Sequence, residues 1–220
     1  MTTSPASVAP LEYPTDSPQW RILRAAVAVM IERGFPDTRV ADVAKQADVS
    51  TGLVLYYFKS RSGLLTKALR FAEDVFYEDL RRRLAVIEHP GKRLAEMIQV
   101  SYRPDTTTVV PHSWLLWFDL WQQSVRHPEL RREREELDRR WRDTIADTVR
   151  DGQAAGYFRE TDADDFALML SAMLDGLVVP LTLDDPGLKA ERATALCMRL
   201  CAHELGADWL GEPEGAGPKA

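Results

Sequence analysis

The sequence predicts an all-α protein of about nine helices, an N-terminal helix-turn-helix domain followed by a C-terminal helical bundle for ligand binding and dimerisation. Apolar residues recur at intervals of three and four, between recognisable start and stop signals, along nearly the whole chain. No alternating apolar/polar segment longer than about four residues interrupts them. Near the N-terminus, two of the expected helices are very short and closely linked, which is what a helix-turn-helix requires.

Ser17 and Pro18 read as an N-cap and a proline at the first helical position, after which Leu23, Ala26, Val27 and Met30 form a stripe as far as Gly34. Val40, Val43, Ala44 and Ala47 mark a short second helix, and Val49 and Ser50 open a third. Ser60 caps a long fourth helix through Leu64, Leu65, Ala68, Phe71 and Val75, ending near His89 and Pro90. A fifth and a sixth are expected at about 91–103 and 111–126. The seventh, from Pro128 to about Ala155, pairs Glu135/Arg139 and Glu136/Arg140 at i,i+4. It carries an apolar stripe of Leu130, Leu137, Trp141 and Ile145, and Gly156 is its C-terminal cap. The last two are expected at about 162–181 and 187–206.

The expected organisation is an arm over 1–15, a helix-turn-helix domain over 16–60, a ligand-binding and dimerisation domain over 61–210, and a tail over 211–220. The two ends are rich in Pro, Ser, Gly and Ala and hold little apolar surface to pack. With 220 residues, 45% hydrophobic and 28% charged, the composition is that of a soluble globular protein. No apolar run reaches the roughly 20 residues that span a bilayer, and no charged-then-apolar leader opens the chain. Cys197 and Cys201 make no disulfide framework, which points to a reducing cytoplasm. Charge is unevenly spread: nine Lys/Arg stand against five Asp/Glu between Asp16 and Ala72, whereas the whole chain has 28 against 34. A basic head on an acidic body suggests different partners at the two ends.

The informative stretch is TRVADVAKQADVSTGLVLYYFKSRSGLL, Thr38 to Leu65. Two helices of about two turns, joined by Asp48, Val49 and Ser50, are too short to stand alone and need a third to pack on. In such a unit the second helix enters the major groove N-terminus first. Ser50 caps that helix, so Thr51, Gly52 and Leu53 face base edges or phosphates, and Gly52 allows close backbone approach. Tyr56, Tyr57, Lys59 and Arg61 supply hydroxyl and cationic groups for backbone phosphate. The bland alternative is a helical hairpin with aromatic packing.

The pattern from Gly34 to Leu65, with Thr38, Val40, Asp42, Val43, Ala44, Ala47, Val49, Ser50, Gly52, Tyr57, Phe58, Leu64 and Leu65, resembles the DNA-binding domain of TetR/AcrR transcriptional repressors. The resemblance implies a homodimer on a palindromic operator and a C-terminal domain that binds a small molecule and lowers DNA affinity. By position it implies Arg39, Thr51, Gly52 and Leu53 on bases or nearby phosphates, and Tyr56, Tyr57, Lys59 and Arg61 on the backbone. Leu55 stands where many members carry tyrosine, Thr51 where lysine or arginine is common, and Asp48 where the turn usually has glycine. Aspartate tolerates the left-handed conformation that such a turn needs.

Farther along, WLLWFDLW (Trp114–Trp121), HPELRREREELDRRWRDTIADTVRDGQAAGYF and MLDGLVVPLTLDDP are similar to the C-terminal domain of BetI-type regulators, which include choline sensors. At 100° per residue, Trp114, Trp117, Phe118 and Trp121 share a face about 100° wide, with Asp119 on the far side. Leu115, Leu116 and Leu120 make the helix apolar almost all round, so a central position is expected. The aromatic face reads either as core or as cavity wall; as a wall it favours a cationic amine or a flat apolar ligand. Asp175 reads either as the counter-charge or as a satisfied helix aspartate. The candidate ligand residues are Tyr102, His112, Trp114, Trp117, Phe118, Trp121, Trp141, Met173 and Asp175. Phe166, Leu170, Leu174, Leu177, Leu196 and Leu200 are candidates for a four-helix dimer seam.

Enzyme signatures are absent from the sequence. His89, His112, His127 and His203 are dispersed, and there is no HExxH, GxGxxG, P-loop or GxSxG motif. Cys197 and Cys201, at i,i+4 in an apolar helix, read as core, and no metal or cofactor is expected. The expected function is a ligand-responsive homodimeric repressor on operator DNA, with no membrane role. The competing reading is a small-molecule binding protein that never meets DNA.

Overall fold

A computed structural model of the chain describes residues 14, 15, 17–102 and 114–206. Among them all regular structure is helical: α1 (Pro18–Arg33), α2 (Val40–Gln46), α3 (Thr51–Phe58), α4 (Arg61–Ala85), α5 (Pro90–Tyr102), α6 (Trp114–Ser124), α7 (Pro128–Ala154), α8 (Ala163–Thr182) and α9 (Ala190–Leu205). His112 and the expected start of α6 at 111 lie outside the described residues.

The described residues fall into two compact units. One holds the chain through Arg81 together with Trp114–Arg134; the other holds Arg82–Tyr102 and Glu135–Gly206. Chain order had suggested a division after residue 60. Contacts instead group most of α4 and all of α6 with the N-terminal helices.

In the first unit, α1 packs on α2 and α6, and α2 on α3. Its core is Ile22, Leu23, Ala26, Val27 and Met30 from α1, Val43 and Ala44 from α2, Val54 and Phe58 from α3, and Leu64, Leu65 and Ala68 from α4. Caps set the helix starts. Ser17 Oγ accepts from the Trp20 N–H at 3.1 Å, Ser50 Oγ from Leu53 at 3.1 Å, and Ser60 Oγ from Gly63 at 3.0 Å. Gly34, at φ 82°, ends α1 by donating its N–H to the Met30 carbonyl at 2.8 Å. Asp48, at φ 54°, makes the turn between α2 and α3, as its residue type allows. Trp20 meets Phe71 of α4 edge to face at 6.1 Å.

In the second unit α5, α8 and α9 pack on one another. Leu94, Met97 and Ile98 of α5, Ile145 and Val149 of α7, Phe166, Leu170, Leu174 and Val178 of α8, and Cys197, Cys201 and Leu205 of α9 are buried. Asp162 caps α8, its Oδ1 accepting from the N–H groups of Asp164 and Asp165 at 2.9 and 3.0 Å. The end of α7 is set by a close approach. A Cβ added at Gly152 would lie 2.2 Å from the buried ring of Phe158, whose N–H, like that of Tyr157, returns to the Gly152 carbonyl.

Gly152→Ala is therefore expected to overpack this corner by about 1–3 kcal/mol. For a chain of this size each kcal/mol lowers the melting temperature by roughly 2–4 °C, and Phe158→Leu in the same chain should recover part of the loss. Calorimetric melting checks this; an unchanged midpoint would mean that Phe158 moves aside without cost.

Candidate nucleic-acid interface and effector residues

The α3 helix is amphipathic over two turns. Val54 and Phe58 are buried against the core, while Thr51, Gly52, Leu55, Tyr56 and Lys59 are exposed and Leu53 and Tyr57 half-buried. Tyr56 is 68% exposed and Leu55 41%, so both stand free of the fold. The short Ser50 side chain caps the first turn of α3 and leaves Thr51 and Gly52 exposed, as a helix entering a groove needs. Tyr56 and Tyr57 lie edge to face at 5.2 Å, and the Lys59 ammonium sits 5.2 Å from the Tyr56 ring while donating to the Tyr56 carbonyl at 2.8 Å. That brings a hydroxyl and a cation together at the exposed end of the helix. Arg39, before α2, is exposed and makes no capping bond.

Arg61 is held differently. Its guanidinium faces the Gly34–Thr38 loop: Nε donates to the Thr38 carbonyl at 2.7 Å, and Nη2 to the carbonyls of Phe35 and, at 2.8 Å, Pro36. It also lies over the Phe35 ring, 5.7 Å from the centroid. Three of its five N–H donors are thus spent on the loop, so Arg61 clamps the head from within and only Nη1 is left for a phosphate.

The aromatic helix α6 also differs from expectation. Leu116, Leu120 and Ser124 are its buried residues, while Trp114, Trp117, Phe118 and Trp121 are all half-buried. Trp121 is the hub of this cluster, its ring 6.3, 6.1 and 5.7 Å from those of Trp114, Trp117 and Phe118. Leu115 is 45% exposed, so the helix is not enclosed all round. Asp119, on the opposite flank, accepts the backbone N–H of Phe35 at 2.7 Å.

The remaining candidate ligand residues lie in the second unit. Trp141 and Met173 are half-buried. Asp175 of α8 has its carboxyl pushed up to about 6, first by burial and then by repulsion from Asp138, which Arg142 partly offsets. Sequence reasoning named Asp175 but not Asp138 or Arg142; their i,i+4 spacing on α7 was the available signal. Ser171, one turn before Asp175 on the same face of α8, is buried, and its hydroxyl has no hydrogen-bond partner among the described residues. Tyr102 is buried with its hydroxyl 3.4 Å from Cys197 Sγ, and burial raises its pKa far above the ordinary phenol value. Burial also raises both thiols, Cys201 to about 12, so neither is a thiolate at neutral pH. No three His, Cys, Asp or Glu side chains among the described residues gather as metal ligands.

The expected dimer residues divide in two. Phe166, Leu170 and Leu174 are spent inside the chain, at most 1% exposed, and have no surface for a mate. Leu177, Leu196 and Leu200 are half-buried. The free face of α8 is its other side, where Leu168, Met169, Val179 and Leu183 are exposed.

A short capped helix with an exposed first turn, held on a core of larger helices, defines a helix-turn-helix DNA-binding protein. Residues 22–68 match the model of the bacterial regulatory proteins of the tetR family, and residues 90–206 that of the BetI-type transcriptional repressor C-terminal domain. The chain is 30% identical over 158 residues to the HTH-type transcriptional regulator BetI of Burkholderia cenocepacia, covering 71% of this chain and 78% of that one. It is similar in structure to a transcriptional regulator from Saccharomonospora viridis solved in complex with choline. That chain is 28% identical, with 85% of this chain and 96% of that one covered and a TM-score of 0.75. A TetR-family regulator from Rhodococcus sp. is also 28% identical, covering 86% and 98%, with a TM-score of 0.74. The chain belongs to the TetR family, with a C-terminal region of the BetI type. It is a transcriptional repressor of that family.

Lys59→Ala and Arg61→Ala are expected to separate cleanly. Loss of Lys59 should weaken DNA binding and lower its salt slope by about 1, with the melting temperature unchanged. Loss of Arg61 removes charge-assisted bonds of about 1.5–3 kcal/mol each and should lower the melting temperature while leaving the slope as it was. Titrations of binding against salt, run beside thermal melts, decide it; equal slopes for Lys59→Ala and wild type would remove Lys59 from the interface.

Proposed function

We propose that the protein binds a palindromic operator in the cytoplasm as a homodimer through α3, and that a cationic amine releases it. The exposed, capped first turn of α3, with Thr51, Gly52, Leu55, Tyr56 and Lys59 turned outward, carries the DNA reading. Arg39, Leu53 and Tyr57 flank that surface.

Dimerisation is supported by α8. Its 18-residue apolar window has a mean hydropathy of 1.5, yet only 33% of it is buried within the chain. Leu168, Met169, Ala172, Gly176, Val179 and Leu183 share a face about 100° wide, and nothing lies within 4 Å of a Cβ added at Gly176. A glycine in mid-helix costs about 1 kcal/mol relative to alanine, and close approach by a partner helix is a physical reason for it. Leu177, Leu196 and Leu200 fill the flanks in this reading. Leu168→Glu with Val179→Glu is expected to turn dimers into monomers in sedimentation; a double variant that remains dimeric moves the seam elsewhere.

The effector reading rests on Asp175 and Ser171. A carboxylate inside an apolar unit, one turn from an unpartnered buried hydroxyl, supports a ligand with a positive charge and a polar group. The choline bound by the Saccharomonospora viridis regulator has that chemistry. The half-buried rings of Trp114, Trp117, Phe118 and Trp121 also offer a quaternary amine cation–π contact. In the fold Asp175 keeps its proton up to about 6, whereas unfolded it loses it in the usual carboxylate range. Its contribution to stability is thus complete below about pH 4 and lost as pH rises through about 6. Asp175→Asn should therefore melt higher than wild type at pH 7.5 and no differently below pH 4.

Choline and other quaternary amines are expected to raise the melting temperature, more strongly at pH 7.5 than at pH 5, because the cation needs the ionised carboxylate. Asp175→Asn should abolish that shift and Ser171→Ala reduce it. A shift of equal size in Asp175→Asn, or a response to acyl thioesters alone, overturns the amine reading.

A further inference from the structure

The Gly34–Thr38 loop between α1 and α2 is held from two sides. The Phe35 carbonyl accepts from Arg61 at the start of α4, and the Phe35 N–H donates to Asp119 of α6 at 2.7 Å. Phe35, a residue 6% exposed, is therefore gripped through its backbone by two helices, from residues 26 and 84 positions away in sequence. The Thr38 hydroxyl, donating to the Gly34 carbonyl at 2.8 Å, closes the loop internally. Gly34 makes the geometry possible. Its φ of 82° aims the following N–H at α6, and a Cβ there would sit 3.5 Å from Asp119 Oδ2 in a backbone conformation that L side chains resist.

Asp119 is the only charged residue of WLLWFDLWQQS, and aspartate is a poor helix former. Ending α1 does not require it, because Gly34 already satisfies the terminal Met30 carbonyl. The carboxylate acts outward, on the segment that leads directly into α2 and α3. It projects about 100° round the helix from Phe118, so α6 carries an aromatic cluster on one flank and the tie to the head on the other.

We propose that Asp119 is a positioning residue through which α6 sets the placement of the DNA-reading helix. A shift of α6 by an ångström away from the loop takes the 2.7 Å bond beyond useful length and leaves a part-buried N–H without its acceptor. Arg61 still tethers the loop when that bond is lost, so the head stays folded but is no longer registered to α6. The DNA arm of this inference rests on the operator-binding reading; the exchange arm below does not.

The test compares wild type with Asp119→Ala, Asp119→Asn and, as a packing control on the same helix, Leu120→Ala, whose side chain is 1% exposed. Binding is measured to a duplex spanning the promoter region of the protein's own gene, beside thermal melts and amide hydrogen exchange. Asp119→Ala should weaken binding at least tenfold, within the 5–150-fold range of ordinary allosteric coupling. Asp119→Asn, which keeps an acceptor oxygen, should recover part of it. Leu120→Ala should melt lower than Asp119→Ala yet bind within about threefold of wild type. Exchange in Asp119→Ala should quicken at Phe35 and onward through α2 and α3. The inference is overturned by Asp119→Ala binding within twofold of wild type, or by loss of affinity that only follows melting temperature across all variants. If wild type does not bind the duplex, operator binding fails and exchange alone decides. Faster exchange through α2 and α3 in Asp119→Ala but not Leu120→Ala upholds the positioning role, and a change confined to Phe35 ends it.

Discussion

The head depends on the pinning of five residues, Gly34 to Thr38, that belong to no helix. With seven and eight residues, α2 and α3 are shorter than the length at which helices persist alone in water, so their order must come from what they are attached to. Their attachment is the loop before α2. Its carbonyls would be costly to bury without donors, and a single guanidinium answers three of them. The aromatic packing and the Ser50 cap refine a unit whose existence this contact secures.

What could be read from the sequence divides along the same line. Local chemistry was legible: the Ser17, Ser50 and Ser60 caps, the stop at Gly34, and the left-handed turn at Asp48 all follow from residue type and a window of a few positions. The clamp made by Arg61 was not legible, because a cation three residues beyond a recognition helix has the same local signature whether it meets phosphate or carbonyl. Only the loop 23–26 residues upstream decides which, and no short window contains it. Asp119 was recognised as facing away from the indoles, but its partner 84 residues distant was out of reach.

The reading of α8 met a different limit. Periodicity sorts residues into faces, but a helix apolar on two faces does not say which one its own chain uses. Phe166, Leu170 and Leu174 went inward; Leu168, Met169 and Val179, equally apolar, were left outside. Larger and more regular side chains had suggested for a mate the face that the chain itself covers. The α6 rings show the same limit, since tryptophan is rarely fully buried even when much of it is. The acid group around Asp175 was half legible: its own residue was, but the two from α7 required the packing to be known.

The recognition helix is bracketed by two non-glycine residues with positive φ, Asp48 at 54° on its approach and Lys59 at 64° at its end. Both are backbone reversals, and the chain cannot slide through them as it can along a regular helix. The eight positions between Ser50 and Lys59 thus form a cassette of fixed length and fixed phase. Thr51, Gly52, Leu55 and Tyr56 can change identity without disturbing Val54 and Phe58, which alone face the core. A lineage carrying this frame can acquire a new target sequence by drift at the outward positions, while the fold that presents them goes unaltered.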